Sequence, residues 1–268
     1  MTFKQKYTIT PRYLTPNSKR RSGRLLFPGV KFIVAHDTGN PNSTAAGNVK
    51  YYENSKNEMS ASAHLFVDDK EIIECIPALT NEKPEKAWHV LYNLKTDNQQ
   101  YGYDSNDVAI GVEYCYGTKI DADEAYRKFI WVMAYICFKF KLDPKISITG
   151  HCFLDPQRKT DPVTGLMHSR RTYEQMLRDV VSEYEECTGG SSLKQYTLKQ
   201  ESGKLKSTTK LNIRKEPTAK AEIFQVVPAA TDLLYGGFII DGESINGNSL
   251  WYKDLNGNYF WSGGVIKI

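Results

Sequence analysis

The feature that most constrains this chain is a change of pattern near residue 188. Before it, short apolar runs alternate with segments of helical periodicity; after it, only short runs broken by glycine and asparagine occur. Between the two, TGGSSLKQYTLKQESG replaces apolar periodicity with glycine, serine and polar residues, the composition of a linker. The chain is therefore read as a domain over 1–187, a linker over 188–203 and a smaller domain over 204–268. At 268 residues it is long enough for each domain to bury its own core.

In the first part, KFIVAH (31–36), AHLFVDD (63–69), EIIECIP (71–77), VAIGVEYCYG (108–117) and ISITGH (146–151) read as strands. Residues 121–140 read as a helix, because Ala125, Phe129, Val132, Met133, Ile136 and Phe140 recur at three- and four-residue spacing. Acidic residues crowd its first turn, where the helix dipole favours them, and LDP at 142–144 stops it. A second amphipathic helix is expected from about Ser169 to Tyr184, and a third over 42–54 after a polar turn. Strands interleaved with helices predict an α/β domain with a central mixed sheet flanked by helices. After the linker, NGN at 256–258 between Trp251–Tyr252 and Tyr259–Phe260–Trp261 signals a hairpin, and the run of short strands predicts a small all-β barrel.

Composition excludes several classes. No apolar run approaches the roughly 20 residues that cross a bilayer, so no integral membrane segment is expected. A net charge of +4, from 35 basic and 31 acidic residues, would help adhesion to a polyanionic surface but is no nucleic-acid signature. The second domain, with eight basic residues against six acidic, is equally mild. MTFKQKYTIT has lysines but neither a following apolar stretch nor a small-residue cleavage site, so no secretory signal is read there and synthesis in the cytoplasm is expected. Five scattered cysteines without a CxxC pair argue for reduced thiols. The basic cluster Lys19, Arg20, Arg21, Arg24 reads as a solvated loop.

Three histidines stand at strand ends or in polar turns: His36 in IVAHDTGN, His64 in SAHLFVDD and His151 in ITGHCFLDPQRKTDP; His89 follows Trp88. Singly, each reads as a hydrogen-bonded structural group. Position distinguishes two, because residues closing strands of an α/β sheet face the functional rim. His151 is followed ten residues later by Asp161, across a loop able to bring carboxylate and imidazole together, and His36 would complete a three-donor zinc site with an open fourth position. Cys152 is not expected to join it, since strand alternation would turn it away from His151.

The segments IVAHDTGN, SAHLFVDDKEIIECIP, AWH, NDVAIGVEYC and GHCFLDPQRKTDP resemble, in order and in wording, the zinc-dependent N-acetylmuramoyl-L-alanine amidases, whose fold is shared with peptidoglycan recognition proteins and phage endolysins. The resemblance covers about residues 10–187 and implies zinc held by His36, His151 and Asp161. It also implies Glu113 as general base and Lys159 as the cation that stabilises the oxyanion. Where a short phage-lysozyme branch has tyrosine before the histidine of SAH, this chain has Ala63, which shifts the catalytic load to Glu113. His64 and His89 are expected near the cleft as structural or substrate-contacting groups. The last domain, with LNIRKEP and YFWSGGVI, resembles the bacterial SH3-like barrels appended to cell-wall hydrolases; Trp251, Tyr259, Phe260 and Trp261 would fill its core or stack on sugar rings.

These resemblances imply a monomeric, zinc-dependent hydrolase of peptidoglycan, an endolysin or autolysin acting at the bacterial cell wall, which cleaves between N-acetylmuramic acid and L-alanine. Two alternatives stand beside it: a peptidoglycan-binding recognition protein without catalysis, and a cytoplasmic amidase that recycles muropeptides.

Overall fold

The computed structural model describes residues 2–189, 196–219 and 221–268. The chain divides into two compact units, 1–193 and 194–268, so the middle of the expected linker, 190–195, lies outside the described residues. The first unit runs β1 (Ile9–Pro11), β2 (Phe32–Asp37), α1 (Ala45–Asn54), β3 (Leu65–Val67), β4 (Ile72–Glu74), α2 (Lys95–Tyr101), α3 (Ser105–Val108), β5 (Ala109–Tyr114), α4 (Ala122–Phe140), β6 (Ile148–Gly150), α5 (His151–Leu154), α6 (Val163–His168) and α7 (Tyr173–Thr188). Its sheet has the order β1-β4-β3-β5-β2-β6. Only β3 and β4 pair antiparallel, so the sheet is mixed. The five expected strands are β2 to β6; β1 is an additional edge strand, where a proline without an N–H is tolerated.

Strand parity decides which side chains reach the site. Ile33 and Ala35 of β2 and Ile110, Val112 and Tyr114 of β5 enter the main core with Phe129, Val132 and Met133 of α4 and Met176 and Val180 of α7. Phe32 and Val34 pack into a different cluster with Ala109 and Leu154. By the period of two, His36 follows Phe32 and Val34, while Glu113 follows Ala109 and Gly111. Because β2 and β5 are parallel with His36 opposite Glu113, both side chains leave the same face of the sheet. The opposite face is held by α4, capped by Asp121, whose carboxylate accepts from the backbone N–H groups of Asp123 and Glu124. Each large apolar side chain buried there contributes roughly 1.5–3 kcal/mol.

His151 does not close a strand: β6 ends at Gly150 and His151 opens α5. A Cβ on Gly150 would lie 2.8 Å from the ring of Pro162, so the glycine lets the 161–162 segment pack against the strand end. The basic segment is not a solvated loop. Arg20 is 1% exposed, with its guanidinium bonded to Ser55 and to the Ala61 carbonyl and lying 4.2 Å over the Tyr52 ring. Arg21 makes a bidentate pair with Glu85 at 2.8 Å; Lys19 and Arg24 are exposed. The five cysteines are free thiols, four of them buried. No described helix is long and apolar enough to cross a membrane.

The second unit contains β7 (Gly203–Ser207), β8 (Leu211–Arg214), β9 (Ile223–Val227), β10 (Asp232–Ile239), β11 (Trp251–Asp254), β12 (Tyr259–Trp261) and β13 (Val265–Lys267). They form an all-antiparallel sheet in the order β13-β7-β10-β11-β12-β8-β9. The expected hairpin joins β11 to β12, with Gly257 at φ +89° in its turn. Lys199 pairs with Phe238, so the polar run before β7 is already attached to this sheet. Trp251 and Phe260 are buried, while Tyr259 and Trp261 are half-buried.

Candidate metal centre

Three of the expected residues converge. The Nδ1 of His36, at the end of β2, lies 2.9 Å from Asp161 Oδ2, and the Nδ1 of His151, at the start of α5, lies 3.0 Å from the same oxygen. The two imidazole rings stand 4.7 Å apart at 77°, and the three potential donor atoms all lie within 4.8 Å of one another. Asp161 comes to this point because its carbonyl accepts from the backbone N–H of Cys152 at 2.8 Å, folding the loop back on α5. Asp37, next to His36, braces the far end of that loop: its Oδ2 accepts from Gly165 N–H at 2.7 Å and its Oδ1 from Gly39 N–H at 3.0 Å.

The electrostatics favour ligand states. Burial holds the His36 imidazole down at about 4, so it is neutral and has a lone pair to give. Burial works against ionisation of Asp161, but the polar groups of His151 and His36 set against it outweigh that and keep the carboxyl well below the usual range. Two neutral imidazoles and one carboxylate are the donor set of a catalytic zinc site with a free position. The arrangement also leaves His151 Nε2 buried without a partner among the described residues. These residues fit a zinc ion, and Cys152 is not in the cluster.

The three donors border a cavity of about 830 Å³, whose wall includes Glu113, Lys159, Arg158, Tyr51, Tyr52 and Phe66. Glu113 Oε2 is buried and, among the described residues, bonded to nothing. Burial, reinforced by the charges of Asp161 and Asp37, raises its carboxyl well above the ordinary carboxylate value. Lys159, exposed on the loop before Asp161, opposes that rise. The structure places His36, His151, Asp161, Glu113 and Lys159 around one cavity.

His64 and His89 are not at the cleft. His64 is fully buried, its Nδ1 accepting from Gly111 N–H at 3.0 Å and its Nε2 at 2.9 Å from the Glu85 carbonyl. His89 lies behind His36, between its Nε2 at 3.0 Å and the Ala109 carbonyl at 3.3 Å. Neither lines the cavity, because backbone partners hold both inside the fold. Tyr51 and Tyr52 are wall residues that sequence reasoning missed; the signal available was a pair of tyrosines on the helix directly after the His36 turn.

The profile of the N-acetylmuramoyl-L-alanine amidase family matches residues 27–164. N-acetylmuramoyl-L-alanine amidase BlyA of Bacillus subtilis (strain 168) is 31% identical over 173 residues, which is 61% of this chain and 44% of that protein. N-acetylmuramoyl-L-alanine amidase CwlA of the same organism is 37% identical over 87 residues, 32% of this chain and 26% of that protein. The chain thus spans less than half the length of either curated relative. The crystal structure of the Staphylococcus aureus hydrolase AmiA in complex with its ligand superimposes with a TM-score of 0.53 at 20% identity, covering 70% of this chain and 89% of that one, a likeness of fold.

Proposed function

Since this chain belongs to the N-acetylmuramoyl-L-alanine amidase family, we propose that it is a zinc-dependent peptidoglycan hydrolase that cleaves the amide between N-acetylmuramic acid and L-alanine, as an endolysin or autolysin does. The observation that carries the reading is the convergence of His36, His151 and Asp161 beside Glu113, whose buried Oε2 has no hydrogen-bond partner among the described residues. When bound, zinc would act as a Lewis acid that polarises the scissile carbonyl and acidifies water toward a pKa of about 7.

The chain's own groups supply the rest. Glu113, kept basic by burial, takes the proton of the attacking water and returns it to the departing L-alanine nitrogen. Lys159 brings a cation to the wall where the carbonyl oxygen gains negative charge. Lys159, with Arg158 paired to Asp155 beside it, places a cation on that wall, which suits a carboxylate of a peptide stem. The whole site is built within the first unit, which supports action as a monomer.

The second unit is proposed as an SH3-like barrel that holds the enzyme on the wall. Support comes from its all-antiparallel sheet and from Tyr259 and Trp261, which leave part of their rings open beside the β11–β12 hairpin. The test is to measure zinc per chain and to digest purified sacculi, with mass spectrometry of the products. About one zinc, new L-alanine amino termini, and loss of both in Asp161→Ala are expected, with turnover down by roughly 10³-fold or more when the carboxylate ligand is gone. Products without new L-alanine amino termini overturn the reading. Muropeptide binding without zinc or cleavage would mark a recognition protein.

A further inference from the structure

We propose that His89 is a positioning residue that sets the tautomer and ring orientation of His36, and that the AWH and NDVAIG segments are joined in the fold to hold it there. The inference rests on the reading of His36 as a zinc ligand and extends it to groups that never meet the substrate.

The Ala109 carbonyl, 3.3 Å from His89 Nε2, can only accept, so Nε2 carries a hydrogen. On a neutral ring the Nδ1 of His89 then offers a lone pair, and it lies 3.0 Å from His36 Nε2. His36 Nε2–H must therefore donate to it. That leaves His36 Nδ1 with its lone pair, aimed at Asp161 Oδ2 from 2.9 Å. Two lone pairs facing each other at that distance repel, and a cation between them turns repulsion into coordination. A ligating histidine whose other nitrogen is committed to a fixed acceptor is the usual device for orienting a metal site, but here the acceptor is a second imidazole rather than a carboxylate or carbonyl.

His89 is itself tightly held. Asn106 Oδ1 accepts from the backbone N–H groups of His89 at 2.8 Å and Val90 at 3.0 Å, and Asn106 Nδ2 donates to the Val90 carbonyl at 2.8 Å. Gly111 gives the ring its space: a Cβ there would lie 2.8 Å from His89 Cγ. His64, bonded to Gly111 N–H, closes the other side with its ring 5.6 Å from that of His89. Asn106, Ala109 and Gly111 are all supplied by one short stretch, which gives NDVAIG a physical task distinct from that of Glu113 two residues on.

Two variants test this. His89→Phe keeps a ring and removes both polar atoms; His89→Gln keeps an acceptor and a donor at similar separation. Zinc affinity, measured by chelator competition, should fall roughly 10- to 100-fold in His89→Phe and return to within about threefold of wild type in His89→Gln. In ¹H–¹⁵N spectra of the ring nitrogens, wild type should show the His36 hydrogen on Nε2, slowly exchanging, with and without zinc; His89→Phe should lose that protected signal and His89→Gln regain it. A folded His89→Phe with wild-type zinc affinity overturns the proposal, as does a wild-type spectrum with the hydrogen on Nδ1. If His89→Phe does not fold, the wild-type spectrum and His89→Gln decide. A wild type that takes up no zinc refutes the metal reading instead, and the tautomer in the metal-free protein still judges His89 separately.

Discussion

Glu113 shows most directly how a single residue trades stability for chemistry. Its carboxyl is raised above the ordinary value of 4.5 chiefly by burial, so folding favours the protonated form relative to the unfolded chain. The sign follows: as pH rises above 4.5, the unfolded chain releases this proton before the folded one does, and stability falls until the folded-state value is passed. Glu113→Gln should therefore raise the melting temperature at neutral pH, by about 2–4 °C for each kcal/mol relieved in a protein of this size. The same substitution should lower kcat by roughly 10²- to 10⁴-fold, the range for loss of a general base, while zinc content stays at the wild-type level. The acid limb of the wild-type rate profile should lie above pH 4.5, because only the ionised carboxylate accepts a proton. Melting curves and a pH–rate profile check all three. At this scale, position at an expected strand end singles out His36 and His151, and the family resemblance singles out Asp161 and Glu113, whereas His64 and His89 read as structural or substrate-contacting groups near the cleft. Only their partners, backbone groups in place of an open cavity, tell them apart.

At the scale of elements, the site depends on how the chain from Asp161 to α6 is anchored. Gly165 sits against β2: a Cβ there would fall 2.7 Å from that of Asp37 and 3.0 Å from the ring of Tyr116. Its N–H is also the one that Asp37 accepts. Gly165→Ala must push α6 outward, and Asp161, four residues earlier, moves with it. Overpacking of this kind costs about 1–3 kcal/mol. Denaturant titration should show that loss, and zinc should bind more weakly than in wild type; an alanine variant with unchanged stability and zinc affinity would refute the bracing role. The larger elements α4 and α7 were readable because their apolar periodicity runs over many turns. The short α2, α3, α5 and α6 were not, since four to seven residues hold too few turns for a period to emerge. That is why His151 was expected on a strand and lies at the head of a helix. The burial of Arg20 was equally hidden: a guanidinium enters a core only when its donors find carbonyls and hydroxyls, and Ser55 and Ala61 are far away in sequence.

At the scale of the whole molecule, the division into two units separates chemistry from its proposed tether. All cavity residues fall within 1–193, so a chain cut after residue 193 should turn over small soluble muropeptides at a rate within about twofold of the full chain. On intact sacculi the same fragment should lose on the order of 10- to 100-fold, because a second binding unit raises effective concentration only where both units have a target. Equal loss on both substrates would show that the second unit supports the fold of the first rather than its attachment to the wall.

The amino-acid sequence alone determined the α/β pattern of the first unit, the strand-rich character of the second, and a short set of candidate donors, because periodicity and turn chemistry are local and leave their mark on neighbouring residues. The tertiary structure alone decided that His89 stands behind His36 and that His64 is held inside the fold, away from the cavity bordered by His36, His151 and Asp161. Residues 36, 89, 109, 151 and 161 are brought together by parallel strand pairing and a folded-back loop, and contacts that long in sequence have no local signature.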